Sequence, residues 1–132
     1  MRIGEAAARA GMTAKAIRYY ESIGLIHPPA RAQSNYRAYS ERDVHVLKFI
    51  ERARRLGFTL AECRTLLALY EDRTRASADV KALALSHLSD IDAKIAELKS
   101  LRRTIETLAA ACHGDARPDC PILDELAKRD AS

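Results

Sequence analysis

A regular apolar pattern in the C-terminal half constrains this fold more than any other feature of the sequence. Apolar side chains recur there every three or four residues, at Leu88, Ile91, Ile95, Leu98, Leu101, Ile105 and Leu108. This spacing predicts one helix over residues 78–111, roughly 50 Å long at a rise of ~1.5 Å per residue. The rest of the chain is too small to cover such a seam, so we predict a coiled coil between two copies. The alternative is a helix that folds back on the N-terminal part.

The beginning of the chain has the pattern of two short helices joined by a tight turn. Residues 3–10 are predicted to form a helix that ends at Gly11. Thr13 is a good N-cap for a second helix over residues 14–22. Two short helices with such a turn are typical of a helix-turn-helix.

The next segment, residues 25–39, is predicted to form a small β-hairpin, or wing. Its two prolines prevent a helix, and its tyrosines and Ser-Asn pair suit short strands and a turn. Two further helices follow. Ser40 with Asp43, and Thr59 with Glu62, have the spacing of a capping box at a helix N-terminus.

Charge is distributed unevenly along the chain. Residues 1–75 contain 14 Lys and Arg against 8 Asp and Glu, whereas residues 76–132 contain 8 against 10. The basic half predicts contact with a polyanion, most simply nucleic acid, although an ordinary solvated surface can have the same composition. No segment resembles a secretory signal or a membrane span, so we expect a cytoplasmic protein with no membrane partner.

Two cysteines enclose a loop near the C-terminus, because Cys112 and Cys120 are separated by seven residues. In a reducing compartment we expect thiols or metal ligands here rather than a structural disulfide. Thiolate sulfur is a soft donor that selects ions such as Cu(I). His113, Asp115 and Asp119 could instead complete a four-ligand Zn²⁺ site, and the two thiols could also form a disulfide.

The third cysteine is predicted to be structural, and the lack of catalytic motifs argues against an enzyme. Cys63 falls on the inner stripe of the fourth predicted helix, where a free cysteine behaves as a small apolar residue. The sequence has no Gly-rich phosphate loop, no pattern of paired carboxylates and no nucleophile–base pair. The spacing of the loop cysteines also differs from the Cys-x-x-Cys of thiol redox enzymes. We therefore predict that the protein is not an enzyme.

Several motifs occur in the order and with the spacing of a known family. They are Thr13-Ala-Lys-Ala-Ile-Arg-Tyr-Tyr-Glu21, Gly24-Leu-Ile, Tyr36-Arg-Ala-Tyr39 and Leu56-Gly-Phe-Thr-Leu60. Together they resemble the N-terminal signature of MerR-family transcription regulators. The stretches Ser77-Ala-Asp-Val-Lys81 and Cys112-x7-Cys120-Pro-Ile are similar to the copper-efflux (CueR/HmrR) branch of that family.

The resemblance implies a mainly α fold with four parts. These are a winged helix-turn-helix head (1–70), a connector (71–78), a dimerisation helix that forms an antiparallel coiled coil (79–111), and a metal-binding loop with a C-terminal helix (112–132). It further implies a homodimer on double-stranded promoter DNA whose spacer is too long for RNA polymerase. Metal binding would bend and underwind this DNA until the promoter elements align.

The resemblance also implies which residues contact DNA. Lys15, Arg18 and Tyr19 share one exposed side of the second helix, whose N-terminal end would enter the major groove. Arg18 and Tyr20 match the pair that contacts the DNA backbone in this family, although the alternative for Tyr20 is a place in the core. Phosphate contacts are also expected from the wing and the third helix. The residues concerned are Arg31, Tyr36, Arg37 and Arg54.

The metal site implied by the resemblance consists of Cys112 and Cys120. Sensors of divalent ions in this family have a cysteine of the partner subunit at the start of the dimerisation helix, where this chain has Ser77. The resemblance thus favours Cu(I), Ag(I) or Au(I) over divalent ions. A centre with two thiolates carries negative charge, which Lys81 on the partner helix, or the N-terminus of that helix, could offset.

From these features we expect a regulator that activates copper or silver efflux or detoxification genes when it binds Cu(I). The alternative is a related sensor of a divalent metal or of thiol redox state.

Overall fold

Six helices form the described part of the computed structural model, which covers residues 1–29 and 38–128. They are α1 (Ile3–Ala10), α2 (Ala14–Ser22), α3 (Glu41–Arg55), α4 (Leu60–Glu71), α5 (Ser77–Ala111) and α6 (Pro121–Leu126). No strand occurs within these residues, and the prediction of a mainly α fold with a long helix is confirmed. The central part of the predicted wing, residues 30–37, lies outside the described residues. Over the same described ranges, the helices are too short or too polar to span a membrane.

The chain divides into two compact units, Met1–Ala82 and Leu83–Ser132. The boundary between them falls inside α5, so the first unit contains α1–α4 and the second contains most of α5 together with α6. The predicted DNA contacts belong to the first unit, and the cysteine loop belongs to the second.

Side-chain caps fix where three helices of the first unit begin. Thr13 Oγ1 accepts a hydrogen bond of 3.0 Å from the backbone N–H three residues later, at the start of α2. Ser40 and Asp43 form a reciprocal capping box at α3, and Thr59 and Glu62 form another at α4. Each cap satisfies backbone N–H groups that the helix itself leaves without a partner, as the sequence predicted.

The first apolar cluster of the head holds α2 against α1 and α3. Ile17 of α2 is fully buried in it, together with Val44 and Leu47 of α3. The buried side chains that α1 contributes are Ala6, Ala7 and Ala10, and the partly buried Ile3 packs against the same cluster. Alanine side chains are single methyl groups, so α1 can lie close to its neighbours. Gly11, at φ +76°, then turns the chain toward α2 in the left-handed conformation that favours glycine.

The second apolar cluster joins α3 to α4. Its buried members are Leu25, Ile50, Ala53, Cys63 and Leu67. Ile50 and Cys63 are fully buried, so the predicted place of Cys63 on the inner side of α4 is confirmed. The two clusters together make α1–α4 a packed body that presents one side of α2 outward.

Two polar contacts attach α2 to the elements packed around it. The Tyr39 hydroxyl, just before α3, donates to the Glu21 carboxylate at 3.2 Å. The Arg64 guanidinium of α4 donates to the carbonyl oxygen of Ile23 at 2.9 Å, at the C-terminal end of α2. These bonds come from residues distant in sequence, and they restrain the end of α2 opposite its Thr13 cap.

The apolar seam of α5 remains exposed in the single chain. Leu88, Ile95, Leu98, Leu101 and Ile105 have relative accessibilities between 45% and 63%. Monomeric proteins rarely leave so continuous an apolar strip in water. The seam is therefore the surface expected of a helix that packs against another copy.

We expect substitutions at Ile50 to weaken the head in proportion to the volume they remove. Ile50→Ala should lower the free energy of unfolding by about 2–5 kcal/mol, and Ile50→Val by about 0.5–1.5 kcal/mol, because the buried cluster cannot collapse fully around the cavity. Denaturant titration followed by far-UV circular dichroism, at one fixed protein concentration, measures both values. Equal stability of the wild type and Ile50→Ala would contradict the assignment of Ile50 to the core.

Candidate nucleic-acid interface and metal centre

The exposed side of α2 carries three of the predicted DNA contacts. Lys15, Arg18 and Tyr19 are all exposed, and none of these three side chains belongs to either apolar cluster. On the opposite side of the same helix, Ile17 is fully buried. The packing of the head therefore leaves two cations and a phenol together on a surface that a nucleic-acid groove can reach.

Tyr20 has a mixed environment. Its ring packs against the second apolar cluster, and its centroid lies 6.1 Å from that of Tyr19. The residue is only half-buried, so part of the side chain remains accessible to solvent. The structure gives Tyr20 a packing role, and its contact with the DNA backbone stays a prediction.

Arg54 lies at the C-terminal end of α3 and is held there. Its Nη1 donates to the carbonyl oxygen of Phe58 at 2.8 Å, across the turn that leads into α4. The side chain is exposed, so the guanidinium has further donors for a phosphate. The other predicted phosphate contacts, Arg31, Tyr36 and Arg37, lie outside the described residues.

Sequence reasoning missed Arg64, which binds the C-terminal end of α2. Its guanidinium also approaches the carbonyl oxygen of Gly24 at 3.4 Å, so it caps the last turn of the helix. An arginine in an amphipathic helix has no distinguishing local pattern. Its role follows only from the packing of α4 beside α2.

The two loop cysteines lie at the ends of two helices. Cys112 follows the last residue of α5, and its backbone N–H donates to the carbonyl oxygens of Leu108 and Ala109 at 3.2 Å. Cys120 immediately precedes α6, and its carbonyl oxygen accepts from the N–H of Asp124 at 3.0 Å. Both thiols are free and half-buried. Each cysteine is therefore held by hydrogen bonds of a helix end, and neither lies in the middle of the loop.

The interior of the loop is shaped by Gly114 and by an ion pair. Gly114 has φ +67°, which allows the sharp turn after Cys112. Asp115 accepts from the backbone N–H of Arg117 at 2.9 Å and pairs with the same residue's guanidinium at 2.9 Å. Hydrogen bonds from the Arg117 side chain and then from its backbone hold the pKa of Asp115 below its usual value. His113 and Asp119 are exposed.

The predicted neighbours of the metal, Ser77 and Lys81, are both exposed in the first turns of α5. They belong to the first compact unit, whereas the loop belongs to the second. Their expected position beside the metal requires the partner subunit, so it stays a prediction.

Cys63 has a different environment from the loop cysteines. It is fully buried, and its Sγ lies 4.0 Å from the carbonyl oxygen of Phe58. Burial raises the pKa of the Cys63 thiol. A thiol of this kind is a poor ligand and nucleophile, so it belongs to the core, as predicted.

The donors of the loop fit a soft metal ion. Two reduced thiols on either side of a short loop can become two thiolate ligands, which suit Cu(I). A structural Zn²⁺ site needs four ligands and would also have to recruit oxygen or nitrogen donors from the loop. Cys112 and Cys120 thus offer two soft donors, and their role as metal ligands stays a prediction.

Two family models match the chain. The model described as "MerR HTH family regulatory protein" matches residues 1–69, and the model described as "MerR, DNA binding" matches residues 44–108. The first therefore covers α1–α3 and nearly all of α4, and the second extends along most of α5.

Named relatives match almost the whole length. The chain is 60% identical to the HTH-type transcriptional regulator HmrR of Rhizobium leguminosarum, over 96% of this chain and 97% of the relative. It is 43% identical to the HTH-type transcriptional regulator CueR of Salmonella typhimurium, over 96% and 91%. The crystal structure of the transcription regulator PbrR691 from Ralstonia metallidurans CH34 in complex with lead(II) matches with a TM-score of 0.81 and 37% identity, over 96% of this chain and 99% of that one.

We expect Arg18→Ala to weaken DNA binding on every sequence and to reduce the salt slope by about one counterion, because a phosphate contact is lost. Fluorescence anisotropy of labelled duplex DNA across a salt series measures this slope. Lys99→Ala removes an exposed cation of α5 and should leave the salt slope of DNA binding unchanged. A wild-type slope in Arg18→Ala would exclude the contact.

We also expect the three thiols to differ in reactivity. Cys112 and Cys120 should react quickly with a water-soluble disulfide reagent in the folded, metal-free protein, whereas the buried, high-pKa Cys63 should react only after denaturation. Absorption of the released thiolate counts the reacting groups. Cys63→Ala should lower the count in denaturant and leave the fast count unchanged; loss of a fast-reacting thiol would show that Cys63 is accessible.

Proposed function

The chain belongs to the MerR family of transcription regulators, of the HmrR and CueR type, and we propose that this metal-responsive regulator activates copper or silver efflux or detoxification genes when it binds Cu(I). Ag(I) and Au(I) share the softness of Cu(I) and should also be accepted. Its relatives are named as transcription regulators, and the prediction that the protein is not an enzyme is confirmed.

The observation that carries the proposal is the pair of free, half-buried thiols at the junction of α5 and α6. When bound, Cu(I) would join the two thiolate sulfurs of Cys112 and Cys120. The position at the start of α5 is Ser77, which offers no third thiol. A monovalent d¹⁰ ion is satisfied by two soft ligands, whereas a divalent ion would be left short of ligands.

MerR-family regulators bind promoter DNA and act as dimers. For this chain we propose that the exposed seam of α5 pairs with that of a second copy in an antiparallel coiled coil. The apolar side chains from Leu88 to Ile105 would then be removed from water, at a gain of about 25 cal/mol for each Å² buried. An antiparallel arrangement would bring the loop of one subunit near the partner subunit's Ser77 and Lys81.

On the DNA side, we propose that α2 enters the major groove with Lys15 at or near base edges. Arg18, Tyr19 and Tyr20 would contact the backbone, assisted by Arg54 at the end of α3. The remaining contacts, Arg31, Tyr36 and Arg37, would come from the wing. This arrangement agrees with the exposed cations of α2 and the buried opposite side of that helix.

The position of the cysteines suggests how the signal reaches the DNA-binding heads. Cys112 ends α5 and Cys120 begins α6, so holding the two thiolates together fixes α6 relative to α5. Leu123 and Leu126 of α6 are exposed in the single chain and could dock on the body of the dimer. Docking would favour the dimer shape that bends and underwinds the promoter, and RNA polymerase on the same DNA would then meet aligned promoter elements.

A sensor of divalent metal is the second candidate. The structural match to PbrR691 in complex with lead(II) favours it, since that regulator has the same fold and 37% identity to this chain. In this case His113 or Asp119 would add donors to the two thiols. A thiol redox sensor would use the same cysteines as a reversible disulfide.

Anaerobic metal titration, combined with transcription from a promoter with an overlong spacer, tests the proposal. Cu(I) should produce thiolate-to-metal absorption and activate transcription, because both depend on the two loop thiols. Cys112→Ser should abolish both responses, while Cys63→Ala, which removes a thiol from the core, should retain them. Activation by Zn(II) without any response to Cu(I) would reject the proposal in favour of the divalent candidate.

A further inference from the structure

One carboxylate of the cysteine loop is already engaged by a neighbouring side chain. Asp115 Oδ1 accepts from the backbone N–H of Arg117 at 2.9 Å and from its Nε at 3.2 Å. Asp115 Oδ2 accepts from the same Nε at 3.0 Å and pairs with Nη2 at 2.9 Å. Both carboxylate oxygens therefore have donors, and all of these donors belong to Arg117.

The ion pair with Arg117 matters because a free Asp115 carboxylate could bind a divalent metal ion. A carboxylate oxygen is a good ligand for Zn²⁺ and other divalent ions, which use oxygen together with sulfur and nitrogen. Cu(I) gains little from a hard oxygen when two thiolates are present. If the Asp115 carboxylate were free, it would add a hard oxygen donor to the thiols of Cys112 and Cys120, and the loop would suit divalent ions better.

We propose that Arg117 determines metal specificity by holding the Asp115 carboxylate away from the ion. The inference rests on the proposed function and names a second source of its selectivity, beside the serine at the start of α5. Specificity is a difference between two affinities, so weakening the binding of the wrong ion is as effective as strengthening the right one. Arg117 lowers the affinity for divalent ions only, because the two-thiolate site for Cu(I) does not use the Asp115 carboxylate.

The geometry suits such a role. A guanidinium presents several N–H donors in a planar fork, and it stays charged at any physiological pH. The backbone N–H of Arg117 adds a bond that sets the turn, so Asp115 and Arg117 are arranged by the loop itself. The pair is half-exposed and contributes little to stability, so substitution should change ligand availability without unfolding the protein.

Competition with chromophoric chelators under anaerobic conditions, on the full-length chain, gives the affinities for Cu(I) and Zn(II). Arg117→Ala should raise the Zn(II) affinity relative to the Cu(I) affinity by roughly two- to fivefold, which is the most that an exposed ion pair can withhold, since the released carboxylate becomes a ligand. Asp115→Ala and the double variant should keep the wild-type ratio or a lower one. A ratio that stays at the wild-type value in Arg117→Ala would overturn the inference.

Two comparisons separate ligand release from other effects of losing an arginine. Lys128→Ala removes an exposed cation near α6 and should keep the wild-type ratio; a shift equal to that of Arg117→Ala would mean that net charge alone is responsible. A double variant that retained the full shift would show that Asp115 is not the released ligand, and would also reject the proposal.

The same measurements keep the two proposals distinguishable. Wild-type protein that fails to bind Cu(I) or to activate transcription would reject the proposed function. Wild-type protein that responds to Cu(I), with an unchanged ratio in Arg117→Ala, would reject only the role of Arg117. A purely structural loss of the loop would lower both affinities together and leave their ratio constant.

Discussion

The close packing of α1 on the rest of the head is the constraint on which the predicted DNA-facing surface depends. The buried side of α1 consists of alanines, and Ile17 of α2 is fully enclosed beside them. Larger side chains on α1 would push α2 outward and rotate its exposed residues, because well-packed interiors accommodate extra methylenes poorly. The orientation of Lys15 and Arg18 is thus decided by methyl groups on the neighbouring helix.

The basic side chains of the head are not equivalent, although they contribute equally to its positive charge. Arg64 donates to a backbone carbonyl oxygen at the C-terminal end of α2, and Arg54 donates to one in the turn between α3 and α4. Lys15 and Arg18 project from an exposed helix side. A count of Lys and Arg therefore overstates the number of side chains that are free to move to a phosphate, since a guanidinium such as that of Arg64 is held at a helix end.

The sequence predicted those elements whose signals are local. Thr13, Ser40 and Thr59 lie at the predicted helix starts because a cap needs only its own next few residues. The Tyr39–Glu21 bond and the Arg64 cap were not predicted, since they join segments that only the fold brings together. For the site, the cysteine spacing predicted the loop but not the Asp115–Arg117 pair, which depends on how the turn after Gly114 directs two side chains. The predicted positions of Ser77 and Lys81 beside the loop depend on a second subunit, which one sequence does not describe.

The anchoring of Cys112 and Cys120 to the ends of α5 and α6 has an evolutionary consequence. The entropy of closing a flexible loop changes slowly with length, by only about 0.6 kcal/mol for each doubling. Insertions or exchanges between the cysteines would thus cost little, and the helices on either side would remain intact. The stretch from His113 to Asp119 can therefore change in sequence, and with it the preference for a metal ion, while the two helices that carry the thiols stay the same.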